Sequence, residues 1–164
     1  MRYLHGFLVL VLVLCCAGCT SVIEQVEPGD TVKVHYTGTF ANGTVFDSSA
    51  GRGPLEFTVG AGEVIPGFDE GVVGMQVEET KTIHIPADQA YGHHREDLVF
   101  LVNPDSISGE ESLVIGQQVG MTLPGGQVLV GTVTGISPDG ITIDANHRLA
   151  GEDLTFTVQL MEIG

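Results

Sequence analysis

From residue 31 onward much of the chain alternates apolar and polar positions with a period of two. Val32, Val34 and Tyr36 interleave with Lys33, His35 and Thr37. Leu55, Phe57 and Val59 interleave with Glu56 and Thr58, and Ile83 and Ile85 with Thr82 and His84. Near the end, Leu154, Phe156, Val158 and Leu160 interleave with Thr155, Thr157 and Gln159. Successive strand side chains point to opposite faces, so each run predicts a half-buried strand of an antiparallel sheet. Ala41-Asn42-Gly43-Thr44 carries hairpin chemistry between two of them. One stretch breaks the period. In VIPGFDEGVVGM, Pro66 stands at a first helical position, with Asp69 and Glu70 in the first turn. Ile65, Phe68 and Val72 follow at helical spacing, and Gly74 marks the end. The stretch predicts a short helix packed against the sheet.

A second break follows Ala90-Tyr91-Gly92. From there to Asn146 the chain has strand signals of its own, LVFLV, VGMTL, QVLVGTVTGI and ITIDA, punctuated by PGG and SPDG. This is too structured for a loop and too small for a large domain. Residues 93–146 read as a β-rich mini-domain inserted into a first domain of residues 27–92 and 147–164. The fold class is α+β. Besides LVFLV, the insert carries Val114, Ile115, Val119, Met121, Leu123, Val128 and Val130, more apolar residues than a very small core holds. Some are expected at the surface, where an apolar groove or open sheet edge can capture extended chains.

The start of the chain has a different character. Met1, Arg2 and His5 precede GFLVLVLVL, an apolar run too short for a comfortable membrane span, and CCAGC follows. A basic start, an apolar stretch and small residues describe an export signal. Ala17-Gly18-Cys19 resembles the lipobox of prokaryotic lipoproteins, with Cys16 in place of the usual leucine. That resemblance implies a signal peptide over residues 1–18, a diacylglyceryl anchor on Cys19 and a tether over residues 19–26. The protein would sit on the extracytoplasmic face of the membrane, or be secreted if the signal is an ordinary one. All three cysteines, Cys15, Cys16 and Cys19, lie here, so the remainder has no disulfide and relies on packing. The formal charge of −15 argues against nucleic acid as a partner, because phosphates would repel it.

Thr44 to Ser49, TVFDSS, holds a bulky aromatic beside a carboxylate. Alternation would send Asp47 to solvent if Phe46 is buried, or Asp47 would bond to the Ser48 and Ser49 hydroxyls. The alternative is a carboxylate at the rim of an apolar pocket. The segments VKVHYTGTFANGTVFDSS, EVIPGFDEGVVGM, IPADQAYG and LTFTVQLMEI, in this order, resemble the FKBP family of peptidyl-prolyl isomerases. The insert after AYG, returning at DANHRLAG, resembles the SlyD-like branch, where the insert replaces the flap and binds unfolded chains. The resemblance implies an antiparallel half-barrel sheet around one short helix, a monomer, no cofactor, and unfolded or proline-containing polypeptides as partners. It places Asp47, Tyr91, Phe46, Tyr36 and Phe156 in catalytic positions, and Leu55, Val64, Ile65 and Phe68 in substrate-binding ones. Phe68 stands where a tryptophan is common, and Leu55 where a phenylalanine is frequent. Arg52 lies where the family often has an arginine that pairs with the aspartate, but the loop is one residue shorter, which leaves that pairing open. The branch's histidine-rich tail does not follow Leu160, so nickel handling is not expected.

The chemistry suits these residue types. Rotation about an X–Pro bond meets a barrier of about 18–20 kcal/mol set by amide resonance, and no bond need break. A dry aromatic pocket removes water's preference for the planar, more dipolar amide and fits a proline ring. The plainer reading of the aromatics is core packing. For His93, His94 and His147, at the two hinge strands, the choice is between a metal site and solvated hinge residues; adjacent histidines on a strand point apart, which favours the hinge. Two other functions stay open: a non-catalytic holdase, and a peptide-binding lipoprotein.

Overall fold

The computed structural model describes residues 24–103, 107, 113–122 and 126–164. The expected signal peptide, the Cys19 anchor, most of the tether and Leu123 lie outside these residues. The strands are β1 (Thr31–Phe40), β2 (Val45–Ser48), β3 (Leu55–Thr58), β4 (Thr80–Ile85), β5 (Val99–Val102), β6 (Gln118–Thr122), β7 (Val128–Ser137), β8 (Gly140–Asp144) and β9 (Leu154–Ile163), with the helix α1 at Pro66–Val72. They make two sheets. The first has five strands in the order β2-β1-β9-β4, with β3 also beside β1. The second has four, in the order β5-β8-β7-β6. All pairings are antiparallel.

The first sheet follows the alternation closely. Val32 and Val34 of β1, Phe57 of β3, Ile83 and Ile85 of β4, and Leu154, Phe156, Val158 and Leu160 of β9 are buried, and they form one core with Phe68 and Val72 of α1. The intervening polar residues face outward; Lys33, for instance, reaches Glu162 across β1 and β9 at 2.8 Å. The helix has Pro66 at its start and Asp69 in its first turn, while Glu70 falls beyond it. Gly74, at φ 78°, follows the C-cap. The helix lies tightly against β4. A methyl group added at Gly67 would collide with Ile85, and one at Gly71 would come within 2.6 Å of Ile83. Lys81 of β4 donates to the Gly71 carbonyl at 2.8 Å, a cation near the negative end of the helix.

The tether reading leaves Val26 outside the fold, yet Val26 is only 1% exposed. Its N–H donates to the Met75 carbonyl at 2.9 Å, and its carbonyl accepts from Gly74 at 2.9 Å. The segment after the helix needs backbone partners, and Val26 supplies them. Packing therefore begins one residue before Glu27.

The second sheet has a core of its own: Val119, Met121, Val133, Ile141 and Ile143. Of the apolar residues anticipated there, Val119 and Met121 are internal. Leu101, Val114, Ile115, Val128 and Val130 are exposed, as is Ile136. Backbone bonds tie the segments that lead out and back: Gly151 N–H to the Gly92 carbonyl at 2.8 Å, and Ala145 N–H to the Leu98 carbonyl at 2.9 Å.

Candidate functional site

The pairing of β1 with β2 resolves why an aromatic and a carboxylate stand side by side. Gly38 is opposite Asp47 and Thr39 is opposite Val45, which leaves Phe46 as the extra residue of a β-bulge. A bulge breaks the alternation and re-aims the side chain beside it. Phe46 and Asp47 therefore line the same cavity instead of opposite faces. Gly38 makes room for the arrangement. A Cβ there would come 2.7 Å from Phe46 Cζ and 2.9 Å from Phe156 Cε1, so both rings lie over the bare backbone.

Phe156 is the hub of an aromatic floor. Its centroid is 5.2 Å from Phe68, 5.6 Å from Phe46 and 6.1 Å from Tyr36, with the first two contacts close to edge-on-face. Tyr36 also meets Phe68 edge-on at 6.0 Å. Such contacts favour one geometry over a fluid cluster. Phe68 and Phe156 are buried, so the core-packing reading holds for them as well: the same rings close the core below and floor the cavity above. The cavity measures about 470 Å³. Tyr36, Phe46, Asp47, Leu55, Val64, Ile65, Phe68, Tyr91 and Phe156, drawn from six separate segments, all line it. Gly62, Glu63 and Pro66 do too, and the sequence reading did not place them there. Pro66 has a visible role as helix starter that hides its second one. Glu63 has no local signal; it is brought in because its carboxylate accepts the Thr58 N–H at 2.8 Å, linking the turn to β3.

Asp47 is clamped at the rim. One carboxylate oxygen accepts the Tyr36 hydroxyl at 2.7 Å, and the other accepts the Ser48 N–H at 2.9 Å and Arg52 Nη2 at 2.6 Å. The shorter loop thus still brings Arg52 to Asp47, and Arg52 also donates to the Ser48 carbonyl. The serine hydroxyls turn elsewhere. Ser49, buried, accepts the Tyr36 N–H at 2.9 Å, and Ser48 donates to the Tyr36 carbonyl at 3.2 Å. The Tyr36 hydroxyl holds the Asp47 carboxyl below the usual carboxylate range; burial opposes this, and Arg52 and the Ser48 amide reinforce it. Tyr36 in turn is pushed up, first by burial and then by its bond to Asp47. The rim therefore presents a fixed negative charge that resists protonation.

Two donors remain open. The Tyr91 hydroxyl and the Ile65 N–H enter no hydrogen bond among the described residues. Tyr91 is held by its ring, which stacks on His147 at 4.0 Å and 5°. The other hinge histidines go separate ways. His94 Nε2 bonds to Asp144 at 2.8 Å, and His93 is exposed. Among the described residues no three metal-ligating side chains converge.

Comparison with known proteins agrees with this geometry. Residues 23–161 match the family described as FKBP-type peptidyl-prolyl cis-trans isomerase. The chain is 31% identical over 139 residues to the FKBP-type peptidyl-prolyl cis-trans isomerase SlyD of Vibrio cholerae, covering 85% of this chain and 69% of that protein. It is 31% identical over 156 residues to the short-type peptidyl-prolyl cis-trans isomerase of Methanocaldococcus jannaschii, covering 87% of this chain and 96% of that protein. It is 49% identical over 84 residues to FK506-binding protein 2 of Yarrowia lipolytica, where the match covers 51% of this chain and 57% of the relative's length. With a family match across most of its residues and an aromatic cavity built from the same segments, the chain belongs to the FKBP-type peptidyl-prolyl cis-trans isomerases.

Proposed function

We propose that this protein catalyses cis–trans isomerisation of X–Pro bonds in polypeptides outside the cytoplasm, held at the membrane by a lipid on Cys19, with the second sheet capturing unfolded chain. The observation that carries the catalytic part is the aromatic cavity of about 470 Å³ with Asp47 clamped at its rim. A proline ring fits against Tyr36, Phe46, Phe68 and Phe156. Its amide loses the water that favours the planar form, and the barrier to twisting falls. Asp47 lies beside the carbonyl carbon as it rotates, and its charge is set in place before the substrate arrives. The Tyr91 hydroxyl and the Ile65 N–H are free to bond substrate carbonyls. No proton has to move, so these effects add to one another: about 1.4 kcal/mol apiece multiplies the rate tenfold.

The chain-capturing part rests on the exposed apolar residues of the second sheet, Leu101, Val114, Ile115, Val128, Val130 and Ile136. Such a surface binds extended segments of other proteins. It also supports a second reading, a holdase in which the cavity recognises proline without turning it over. The membrane part rests on Arg2, the apolar run and Ala17-Gly18-Cys19, outside the described residues.

The test is a refolding reaction limited by proline isomerisation. The protein should accelerate it, and Asp47→Ala and Phe46→Ala should lose most of the acceleration while circular dichroism stays native. Tyr91→Phe should lose less. A wild-type protein that prevents aggregation without accelerating refolding would establish the holdase. For the anchor, mass spectrometry of the N-terminus should find a lipid-modified Cys19, and Cys19→Ala should release the protein from the membrane fraction; an unmodified N-terminus elsewhere would refute it.

A further inference from the structure

The wall of the cavity made by Tyr91 is held by a residue that does not line it. His147 sits on the segment returning from the second sheet, and its imidazole is nearly parallel to the Tyr91 ring at a 4.0 Å centroid separation. Tyr91 needs such a support. The residue is 40% exposed and its hydroxyl has no partner among the described residues. The backbone around it is well tied: Ala90 and Gly92 donate to the Ala87 carbonyl at 3.1 Å and 2.7 Å, and Gly92 accepts from Gly151 at 2.8 Å. These bonds fix where the side chain starts, not where it points. Among the described residues, the only ring packed face to face on it is that of His147.

The imidazole is itself fixed. Nδ1 accepts the Leu149 N–H at 3.2 Å, and the His147 carbonyl accepts the Ala150 N–H at 2.8 Å. Leu149 is 3% exposed and belongs to the first core. The ring is thus anchored through a short turn to the packed interior. An acceptor at Nδ1 places the proton of the neutral ring on Nε2.

We infer that His147 is a positioning residue for isomerisation: it holds the Tyr91 ring in place so that the hydroxyl meets the substrate carbonyl without first losing rotamer freedom. This rests on the isomerase reading above. A side chain ordered in advance lets its hydrogen bond act fully in the transition state. Stacked aromatic pairs are strong enough for the effect to reach about three- to tenfold in rate.

The experiment uses full-length protein and a short proline peptide. His147→Asn removes the ring but keeps an oxygen able to accept the Leu149 N–H, so the turn should survive. His147→Phe keeps a stacking ring and loses the acceptor. The expected result is a kcat about three- to tenfold lower in His147→Asn with KM little changed, and largely restored in His147→Phe. The chain has only three tyrosines, so the Tyr91 ring protons are readily assigned by NMR. They should be shifted by the stacked ring in wild type and in His147→Phe, and not in His147→Asn. In a Tyr91→Phe background, which has no hydroxyl to position, His147→Asn should cost nothing further. Wild-type activity in His147→Asn, or the same loss with and without the Tyr91 hydroxyl, overturns this inference and leaves the isomerase reading standing. An inactive wild-type protein overturns the isomerase reading first and this inference with it.

Discussion

Asp47 shows how much a single side chain depends on its neighbours. Its pKa is depressed, first by the Tyr36 hydroxyl. The ionised form and its bonds are therefore kept at pH above the unfolded value and lost as the pH falls through the lower, folded one. Isomerisation should stay flat from neutral into mildly acidic pH and fail only below the ordinary carboxylate range. Tyr36→Phe should move that acid limb upward, and Arg52→Gln should move it up by less; a pH–rate profile on a short peptide reads both. Gly38 is the other decisive position. Gly38→Ala sets a methyl group against Phe46 and Phe156, and overpacking of this kind costs about 1–3 kcal/mol. The melting temperature should fall, and activity should fall by more than the loss of native protein explains, because the two rings that move are cavity walls. Neither effect is readable locally: Gly38 looks like any strand glycine, and Asp47 looks like a residue that alternation sends to solvent.

Among the elements, the β1–β2 bulge and the paired hinge segments govern the site. The hinge carries a pH-dependent contact. His94 bonds to Asp144 at 2.8 Å, with Glu96 at 3.6 Å from its other nitrogen, and its pKa is raised chiefly by the bond to Asp144. A raised pKa gives stability that is fully present below the ordinary histidine value and lost as the pH rises through the folded one. Asn146 joins the same cluster, accepting the Arg95 N–H at 2.9 Å and donating to Asp144 at 2.7 Å. Hydrogen exchange at Arg95 and Ala145, corrected for intrinsic rate, should quicken as the pH rises through that range. His94→Gln should make the exchange insensitive to pH; an unchanged pH dependence would exclude His94 as its source.

At the scale of the molecule the question is what the second sheet contributes. The residues lining the cavity all lie outside 93–146. Replacing that stretch by a short glycine-containing loop should leave most activity on a short proline peptide, since such a peptide fills the cavity unaided. A long unfolded chain should differ under the proposed chain capture, because a second binding surface would raise its effective concentration at the cavity, by about 10²-fold where geometry permits. Loss of the stretch should therefore damage refolding catalysis and aggregation suppression far more than peptide isomerisation. Equal loss on both substrates would mean that the second sheet shapes the cavity, and equal retention that it captures no chain.

Most of the architecture follows from local order. The alternation along β1, β3, β4 and β9 determined the first sheet and its buried face, because a period of two leaves one solution for which side is apolar. Pro66 and the spacing of Ile65, Phe68 and Val72 determined the helix, and a changed rhythm after Gly92 marked a second set of strands. Nine of the twelve cavity residues were legible, eight of them through the order of four segments and Leu55 through its place between two of them, not from any one segment. Tertiary structure alone decided three things. It placed Phe46 and Asp47 on one side, since a bulge exists only relative to the partner strand. It closed Arg52 onto Asp47, since a loop's reach depends on where its ends are held. And it laid His147 on Tyr91, residues far apart in the chain, because the backbone bond between Gly92 and Gly151 brings the outgoing and returning segments together, a pairing that no periodicity in either segment encodes.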